Sequence, residues 1–325
     1  MKLIIQIPCL NEAETLPATL ADLPASVPGI DVIETLIIDD GSRDDTVTVA
    51  RAHGVTHVVR FRRRKGLAAA FMAGIDASLK AGADFIVNTD ADNQYAGADI
   101  ARLLAPLQSG QADIVIGDRN IRDLRHMSWS KRLLQRVGSW VVRQVSGTQV
   151  PDTTSGFRAY TRQAALQMNI VSEFSYTLES IIQAGKKKMA IAHVAVGSNA
   201  RTRPSRLFDS VFSYIKASSA TIVRIYSMYE PLKVFTYLGS FVFLIGLAIA
   251  GRFVYFYLFT HESAGKVQSL ILAAMLMIVG FQIVLIGLLA DVISGTRKLL
   301  EDLLYRVRSM ELGERARPER EDQER

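Results

Sequence analysis

The sequence is poor in cysteine, since Cys9 is the one cysteine in 325 residues. A single cysteine excludes an intramolecular disulfide framework and a zinc site built on cysteine thiolates. The excess of basic residues is also small, with 38 Lys and Arg against 32 Asp and Glu. A net charge of +6 does not by itself indicate nucleic acid, and the sequence shows no aromatic stacking platform or recognition module. We therefore expect no nucleic acid among the partners.

Two phosphate-binding motifs are missing as well. No G-x-G-x-x-G follows the first predicted strand, and there is no G-x-x-x-x-G-K-[ST]. The first absence disfavours a dinucleotide cofactor. The sequence does not predict a signal peptide either, because the apolar stretch 3–10 is short, is broken by Gln6 and Pro8, and is followed by Glu12 and Glu14.

Apolar residues are concentrated in the last third of the chain. The hydrophobic fraction is 49% and the mean hydropathy is +0.17, and the stretches 234–251 and 267–290 carry no charge. An α-helix needs about 20 apolar residues to cross the hydrocarbon core of a bilayer. We predict a transmembrane hairpin over 233–293, with crossings at about 233–251 and 267–290. The alternative is a pair of buried core helices.

The basic residues around this hairpin predict its orientation. The linker between the two stretches holds two of them, Arg252 and Lys266. More precede and follow the hairpin, namely Arg201, Arg203, Arg206, Lys216, Arg224, Lys233, Arg297, Lys298, Arg306 and Arg308. Positive residues favour the cytoplasmic side. We therefore predict a multi-pass protein of the inner (cytoplasmic) membrane with both termini in the cytoplasm.

The first 200 residues alternate short apolar runs with helical stretches. Strands are predicted at 3–8, 32–39, 57–61, 84–90 and 113–117, and helices at 12–23, 44–52, 67–81 and 98–108. Continuous apolar strands indicate a sheet covered on both faces. The alternation predicts an α/β domain with a mostly parallel, Rossmann-like sheet, whose ligands bind at the carboxyl ends of the strands.

Acidic residues stand where three predicted strands end. Glu12 comes shortly after the first strand, Asp39 and Asp40 stand at the end of the second, and Asp90 and Asp92 at the end of the fourth, with Gln94 close by. Carboxylates repel a diphosphate unless a divalent cation lies between them, and these oxygen ligands are of the kind that Mg²⁺ or Mn²⁺ prefers. A lone D-x-D also occurs in solvated turns, but its position after a buried strand favours the metal site.

Five motifs in order resemble those of inverting family 2 glycosyltransferases with a GT-A fold. They are PCLNE at 8–12, DDGSRD at 39–44, KG at 65–66, DADNQ at 90–94 and DTTSGFR at 152–158. The last motif resembles the polyprenyl-phosphate branch, which includes dolichyl-phosphate mannose synthases and bacterial undecaprenyl-phosphate glycosyltransferases. The resemblance covers about residues 1–230, and the hairpin is similar to that of bacterial members. Asn93 departs from the family pattern, which has an apolar residue there.

The resemblance implies a division into four regions. Residues 1–206 form the cytoplasmic GT-A domain, 207–232 the juxtamembrane interfacial helices, 233–293 the hairpin, and 294–325 a cytoplasmic amphipathic helix with a charged tail. The tail helix is predicted to act either in self-association into a homo-oligomer or at the membrane surface.

The resemblance also implies roles for individual residues. Nucleotide binding is expected of Pro8, Asn11, Glu12, Asp39, Asp40, Lys65, Gly66 and Asp90. The metal ligands are expected to be Asp90, Asp92 and Gln94, and the catalytic residues Asp152 and Arg158. The resemblance implies acceptor phosphate binding by Arg201, Arg203 and Arg206, and the basic amphipathic stretch 119–143 adds Arg119, Arg132, Arg136 and Ser139. Two alternatives remain open: Asp40 caps the turn that follows it, and Asp152 orients Arg158 or supports another site residue instead of acting as a base.

The implied reaction transfers a sugar from a nucleotide sugar to a membrane polyprenyl phosphate, with inversion at the anomeric carbon. UDP-glucose is the preferred donor and GDP-mannose the alternative. A lipid monophosphate is mostly dianionic at pH 7, so it can attack without a base. Other interpretations are a family 2 polysaccharide synthase, whose usual Q-x-x-R-W motif is absent, and an inactive membrane protein that binds nucleotide sugars.

Overall fold

The computed structural model describes residues 1–119, 140–171, 176–197, 199, 211–259 and 267–313, with the backbone alone for 211–218. The chain divides into two units, Met1–Val223 with Leu304–Arg325, and Arg224–Leu303.

The first unit is built on a seven-stranded sheet. The strands are β1 (Lys2–Cys9), β2 (Val32–Asp39), β3 (His57–Arg60), β4 (Phe85–Asn88), β5 (Ile114–Asp118), β6 (Arg158–Thr161) and β7 (Ile191–Ala195), in the spatial order β3-β2-β1-β4-β6-β5-β7. All pairings are parallel except those of β6, which runs antiparallel to both β4 and β5. The strand order reverses between β1 and β4, and ligands of such sheets bind outside the carboxyl ends at that point.

Helices connect the strands. They are α1 (Leu16–Asp22), α2 (Thr46–Ala52), α3 (Leu67–Lys80), α4 (Ile100–Gln108), α5 (Arg162–Gln167) and α6 (Tyr176–Lys186), with a 3₁₀ turn at Gly97–Asp99 and further helical residues at 140–146. The predicted α/β class with a mostly parallel sheet is confirmed. The helix predicted over 12–23 spans Leu16–Asp22 instead, with Pro17 in its first turn, where a missing amide hydrogen costs no helical hydrogen bond.

The core explains why the strands lack an alternating pattern. Leu3, Ile4, Ile5 and Ile7 on consecutive positions of β1 are all fully buried, so both faces of the sheet are covered. Removing each such side chain from water contributes about 2 kcal/mol. This burial holds the strand ends in fixed positions for the polar residues that follow them.

The second unit contains the end of one long helix, the whole of a second and most of a third. These are α7 (Val211–Tyr229), α8 (Pro231–Phe259) and α9 (Val267–Glu311). The most apolar windows of α8 and α9 have mean hydropathies of 2.0 and 2.6, so both helices are long and apolar enough to cross a membrane. The sequence predicts a crossing and a separate tail helix after residue 267, whereas the structure has one continuous helix of 45 residues.

Candidate active site

The predicted site residues meet at one edge of the sheet. Because β2, β1 and β4 are neighbouring parallel strands, with Cys9 opposite Asp39 and Gln6 opposite Asn88, their carboxyl ends lie side by side. The segments after them carry three of the five sequence motifs. The fold therefore brings the expected nucleotide and metal residues together.

An open cleft of about 750 Å³ lies beside the ends of β1 and β2. Its lining is rich in arginine and consists of Leu10, Asn11, Gly41, Ser42, Arg43, Arg60, Phe61, Arg62, Arg63 and Arg64. Asp39 is fully buried next to this lining. Its Oδ1 accepts a hydrogen bond from the Ser42 amide at 2.9 Å. Its Oδ2 lies 3.1 Å from Arg60 Nε and accepts no hydrogen bond in the part of the chain that the structure describes.

Asn11 and Glu12 join the end of β1 to the segment after β2. The Asn11 amide donates to Ser42 Oγ at 2.9 Å, and Asn11 Oδ1 accepts from the Arg43 amide at 2.8 Å. The Glu12 amide donates to Thr46 Oγ1 at 2.9 Å. These bonds form one wall of the cleft. Pro8 lies within β1, opposite Ile38.

Asp40 binds the loop that precedes α3. Its carboxylate accepts the amides of Lys65 at 2.6 Å and Gly66 at 3.0 Å. Gly41, with a φ of 78°, lets this loop approach closely, since a Cβ there would lie 2.8 Å from the Arg63 carbonyl carbon. The Lys65 ammonium lies 4.6 Å from the centre of the Phe61 ring. Asp40 thus fixes the loop before α3, whereas the turn that follows Asp40 is capped by Asp39 through the Ser42 amide.

The carboxylates after β4 form a set of oxygen donors. Asp92 Oδ2 accepts from Gln94 Nε2 at 2.6 Å. Burial, followed by the negative charge of Asp92, raises the pKa of Asp90 to about 7. Among the described residues no three His, Cys, Asp or Glu side chains are placed to share a metal ion. The donor set fits Mg²⁺ or Mn²⁺, because such ions commonly bind one or two carboxylates and complete their shell with phosphate oxygens.

Gly156 lies directly against Asp90. A Cβ on this residue would be 2.9 Å from Asp90 Oδ1 and 3.1 Å from the Tyr176 hydroxyl. The Gly156 amide donates to the Tyr95 hydroxyl at 3.1 Å, and its carbonyl accepts from Asn88 Nδ2 at 2.9 Å. Tyr95 and Asn88 thus hold the Gly156 peptide from both sides. Asn88 Nδ2 also donates to the Tyr176 hydroxyl at 2.9 Å. We call Gly156, Tyr95, Asn88 and Tyr176 the Gly156 clamp.

Asp152 is bound on both oxygens by one arginine. Arg119 follows β5 and donates from Nε to Asp152 Oδ2 at 2.7 Å and from Nη2 to Oδ1 at 3.1 Å. Thr154 adds hydrogen bonds from its amide and hydroxyl to Oδ1. Burial opposes ionisation of the Asp152 carboxyl, but Arg119 and these hydrogen bonds outweigh it and hold the pKa below its ordinary value. The pair favours Asp152 as the residue that orients Arg119.

Arg158 is fully buried, and its guanidinium group donates hydrogen bonds to three nearby groups. Its Nε donates to the Ser155 carbonyl at 2.8 Å and its Nη2 to the Thr153 carbonyl at 3.0 Å. Its Nη1 donates to Ser180 Oγ on α6 at 2.6 Å. Arg158 therefore ties the 153–155 segment to the scaffold, and these bonds favour a positioning role, while its catalytic role stays a prediction.

Several expected acceptor residues cannot be placed. Arg132, Arg136, Ser139, Arg201, Arg203 and Arg206 lie outside the described residues. Sequence reasoning in turn missed Asn88, Tyr95 and Tyr176 of the Gly156 clamp. The signal for Tyr95 was its place directly after the 90–94 motif. No sequence signal identified Asn88 and Tyr176, because the sequence alone does not distinguish buried polar residues from solvent-exposed ones.

Comparisons with known proteins agree with this geometry. Residues 4–167 match the family model described as glycosyl transferase family 2, and residues 230–296 match the GtrB C-terminal hairpin. An undecaprenyl-phosphate mannosyltransferase of Micrococcus luteus is 35% identical over 166 residues, which are 49% of this chain and 66% of that protein. An undecaprenyl-phosphate 4-deoxy-4-formamido-L-arabinose transferase of Yersinia pestis is 26% identical over 303 residues, 90% of this chain and 88% of that protein.

A solved structure shows the same fold. Glucosyl-3-phosphoglycerate synthase of Mycobacterium tuberculosis, in complex with Mn²⁺, UDP-glucose and phosphoglyceric acid, aligns with a TM-score of 0.54 at 21% identity, over 70% of this chain and 78% of that one. The resemblance inferred from the motifs is confirmed, as is the GT-A fold with a mostly parallel sheet. With a matched catalytic domain and a matched hairpin, the chain belongs to glycosyl transferase family 2.

Proposed function

We propose that this glycosyltransferase moves a sugar from a nucleoside diphosphate sugar to a polyprenyl phosphate in the membrane. The observation that carries the proposal is the Arg119–Asp152 pair. Because Arg119 and Thr154 occupy the Asp152 carboxylate and lower its pKa, Asp152 is a poor general base. An alcohol acceptor needs a base. A phosphate monoester, with a second pKa of about 6, does not.

The acceptor class is supported by the relatives and the hairpin. Both named relatives act on undecaprenyl phosphate by their names. Two helices of membrane-spanning length and composition would keep the enzyme at the bilayer that holds such a lipid. We place the catalytic domain and both termini on the cytoplasmic side of the inner membrane, because the basic residues flank the hairpin and are few within its linker.

For the donor we propose UDP-glucose, with GDP-mannose as the alternative. The solved glucosyl-3-phosphoglycerate synthase was crystallised with UDP-glucose and Mn²⁺, whereas the relative from Micrococcus is a mannosyltransferase. Asp39 adds an argument from the cleft. Its Oδ1 accepts the Ser42 amide, and its Oδ2 lies 3.1 Å from Arg60 Nε but accepts no hydrogen bond in the described part of the chain. The carboxylate thus keeps a lone pair for one further donor, which suits the single N–H of uracil.

In the proposed mechanism each group has one task. Asp90, Asp92 and Gln94 would hold Mg²⁺ or Mn²⁺, which when bound neutralises the charge of the leaving diphosphate. The Gly156 clamp fixes the position of Asp90. The acceptor phosphate oxygen attacks the anomeric carbon, a new carbon–oxygen bond forms on the opposite face, and the nucleoside diphosphate leaves. Arg119, oriented by Asp152, presents positive charge close to the reacting phosphates.

The test is a transfer assay with the full-length enzyme in membranes. The enzyme is incubated with Mn²⁺, undecaprenyl phosphate and each of several UDP- and GDP-sugars, and lipid products are identified by mass. We expect one hexosyl-phosphate lipid and no product with Asp92→Ala. Formation of a polymer would support the polysaccharide synthase, and donor binding without any product would support the inactive binder.

The same assay separates the two roles of Asp152. Both roles predict a flat wild-type rate from pH 7 to pH 9, because the pKa of Asp152 lies below its ordinary value. If Asp152 orients Arg119, Asp152→Asn keeps a reduced but measurable rate with the same profile. An Asp152→Asn enzyme that binds donor and acceptor yet has no turnover would show that Asp152 is the base.

A further inference from the structure

The part of α9 that follows Asp291 has its apolar face on the outside. At about 1.5 Å per residue, α9 continues for about 30 Å beyond Asp291. Its apolar side chains there are large and exposed: Ile293 is 69% exposed, Leu300 60%, Leu303 58% and Met310 69%. A helix on the surface of a globular protein normally turns such residues inward.

The opposite face of the same segment makes the polar contacts. Ser294 donates to the Met228 carbonyl at 3.0 Å. Arg297 lies 4.4 Å above the centre of the Tyr229 ring and forms an ion pair with Glu301. The polar face of this segment therefore contacts the rest of the chain, and its apolar face is exposed. A face of this kind is stable in water when another apolar surface covers it.

The exposed residues follow a heptad repeat. Positions separated alternately by three and four residues carry Ile293, Thr296, Leu300, Leu303, Val307 and Met310. This corresponds to a and d positions over three heptads, with Ile293, Leu300 and Val307 at a. We call these six residues the outer seam. Two of the three a residues are β-branched, and Leu303 is flanked at the other d positions by Thr296 and Met310. β-Branched residues at a with Leu at d favour two-stranded parallel coiled coils, and the centre of the outer seam comes closest to that pattern.

The charged residues beside the outer seam are also compatible with a parallel pair of α9 helices. Arg306 occupies a g position and Glu311 the e position five residues later. In a parallel coiled coil these two positions of opposite strands are neighbours, so the pair is of opposite charge. Two copies held in one membrane with the same orientation present their α9 helices in parallel.

We propose that the outer seam binds the outer seam of a second copy of this chain, forming a parallel two-stranded coiled coil next to the membrane. The membrane surface is the other candidate for covering this face. It is disfavoured because α9 shows no break between Val267 and Glu311. A helix that crosses the bilayer and continues without a break leaves the surface instead of lying on it.

Single cysteines in native membranes test the contact directly. Cys9 is the one cysteine of the chain and is buried, so it gives little background. Leu303→Cys, at a d position, should form a disulfide with its counterpart under mild oxidation and about double the apparent mass, because facing d positions meet the Cα distance of a disulfide. Lys298→Cys, exposed at the outer f position of the preceding heptad, is the matched control and should remain monomeric.

A second measurement uses charge. The mass of the detergent-solubilised full-length protein is determined by light scattering for the wild type, Leu300→Glu and Gly295→Glu. Gly295→Glu adds the same charge where a side chain meets no atom within 4 Å. We expect twice the 35.9 kDa chain mass for the wild type and Gly295→Glu, and loss of the dimer for Leu300→Glu. A monomeric wild type, an unaffected Leu300→Glu, or equal cross-linking at 298 and 303 would overturn the proposal.

Discussion

Two carboxylates of the active site have opposite electrostatic environments. Asp152 is paired with Arg119, which holds its pKa below the ordinary value despite burial. Asp90 is desolvated and lies near Asp92, and its pKa rises to about 7. Neighbouring groups whose environments push their pKa values apart have different roles. Asp152 already has its positive partner, whereas Asp90 requires one, which is the task we assign to the divalent cation.

The sign of the Asp152 shift has a consequence for stability. A carboxyl whose pKa is lower in the folded state stabilises the fold at pH values above its unfolded pKa, about 4. That contribution is lost as the pH falls through the lowered folded pKa. The Arg119–Asp152 pair is therefore fully formed throughout the pH range in which the acceptor phosphate is dianionic.

The Gly156 clamp makes a prediction for Tyr95→Phe. This change removes the hydroxyl that accepts the Gly156 amide and keeps the ring that stacks on Phe157 at 4.9 Å. The freed amide costs about 1–3 kcal/mol when buried, and we expect the segment to shift away from Asp90. Since about 1.4 kcal/mol corresponds to a tenfold rate, kcat should fall about tenfold while the donor KM changes less than about twofold.

Tyr160→Phe is the matched control for this prediction. Tyr160 is also a fully buried tyrosine, and its hydroxyl makes no hydrogen bond to Gly156. Its kcat should stay at the wild-type value in the same steady-state assay. Equal kcat values for the two variants would show that the contact between Tyr95 and Gly156 does not position the site.

At the scale of elements, the sequence predicted the five strands β1 to β5 because they are mainly apolar runs, which are buried in β1, β4 and most of β5 and half-buried in β3. It missed β6 and β7. Arg158–Thr161 begins with a fully buried arginine, and Ile191–Ala195 is half-exposed with a histidine at its centre. Such short strands contain both polar and apolar residues and form because they pair with β4 and β5. Pairing between distant segments cannot be predicted from the local sequence pattern.

The active site was predictable to a similar degree. The motifs identified which residues lie at the strand ends, because parallel topology brings those ends together. They did not identify the partners of those residues. That Asp40 binds the loop before α3, and that Asp152 pairs with Arg119 across 33 positions of sequence, depends on contacts between distant segments.

The helices α8 and α9 pack through small residues at intervals of seven. Gly239 and Gly246 on α8 face Gly280 and Ala273 on α9. A Cβ on Gly280 would lie 2.6 Å from the Phe243 amide nitrogen, and one on Gly246 would lie 2.9 Å from the Ala273 carbonyl oxygen. Close backbone approach at small residues is the usual basis of helix association in membranes. We infer that these small residues hold α8 and α9 together.

Gly280→Leu should separate these helices. The added side chain has no room, and overpacking typically costs about 1–3 kcal/mol. We expect the full-length protein in detergent to lose its size-exclusion peak at a lower temperature than the wild type. Gly251→Leu is the control, since a Cβ there meets no atom within 4 Å, and it should keep the wild-type temperature. If both variants lost the peak at the same lowered temperature, the small-residue contact between α8 and α9 would not be what holds the hairpin together.

At the scale of the whole molecule, hydrophobicity and charge are separated along the chain. The apolar excess lies in α8 and α9, whereas the arginine-rich cleft and the Arg119–Asp152 pair belong to the catalytic domain. Both proposed substrates carry phosphates, and one of them is anchored in the bilayer. A domain that attracts phosphates and a hairpin that keeps it at the membrane suit the two substrates of a lipid-phosphate glycosyltransferase.

The distribution of charge predicts which end of the hairpin faces the cytoplasm. Lys298 lies past the end of the second predicted crossing, and Tyr257, which is 57% exposed, lies past the end of the first. Single cysteines at these positions are treated in intact cells with a membrane-impermeant maleimide. Tyr257→Cys should be labelled at once, and Lys298→Cys after permeabilisation alone, because the basic flanks remain inside. Wild-type protein, whose Cys9 is buried, gives the background. The reverse labelling pattern would place the catalytic domain on the opposite side of the membrane from the one proposed.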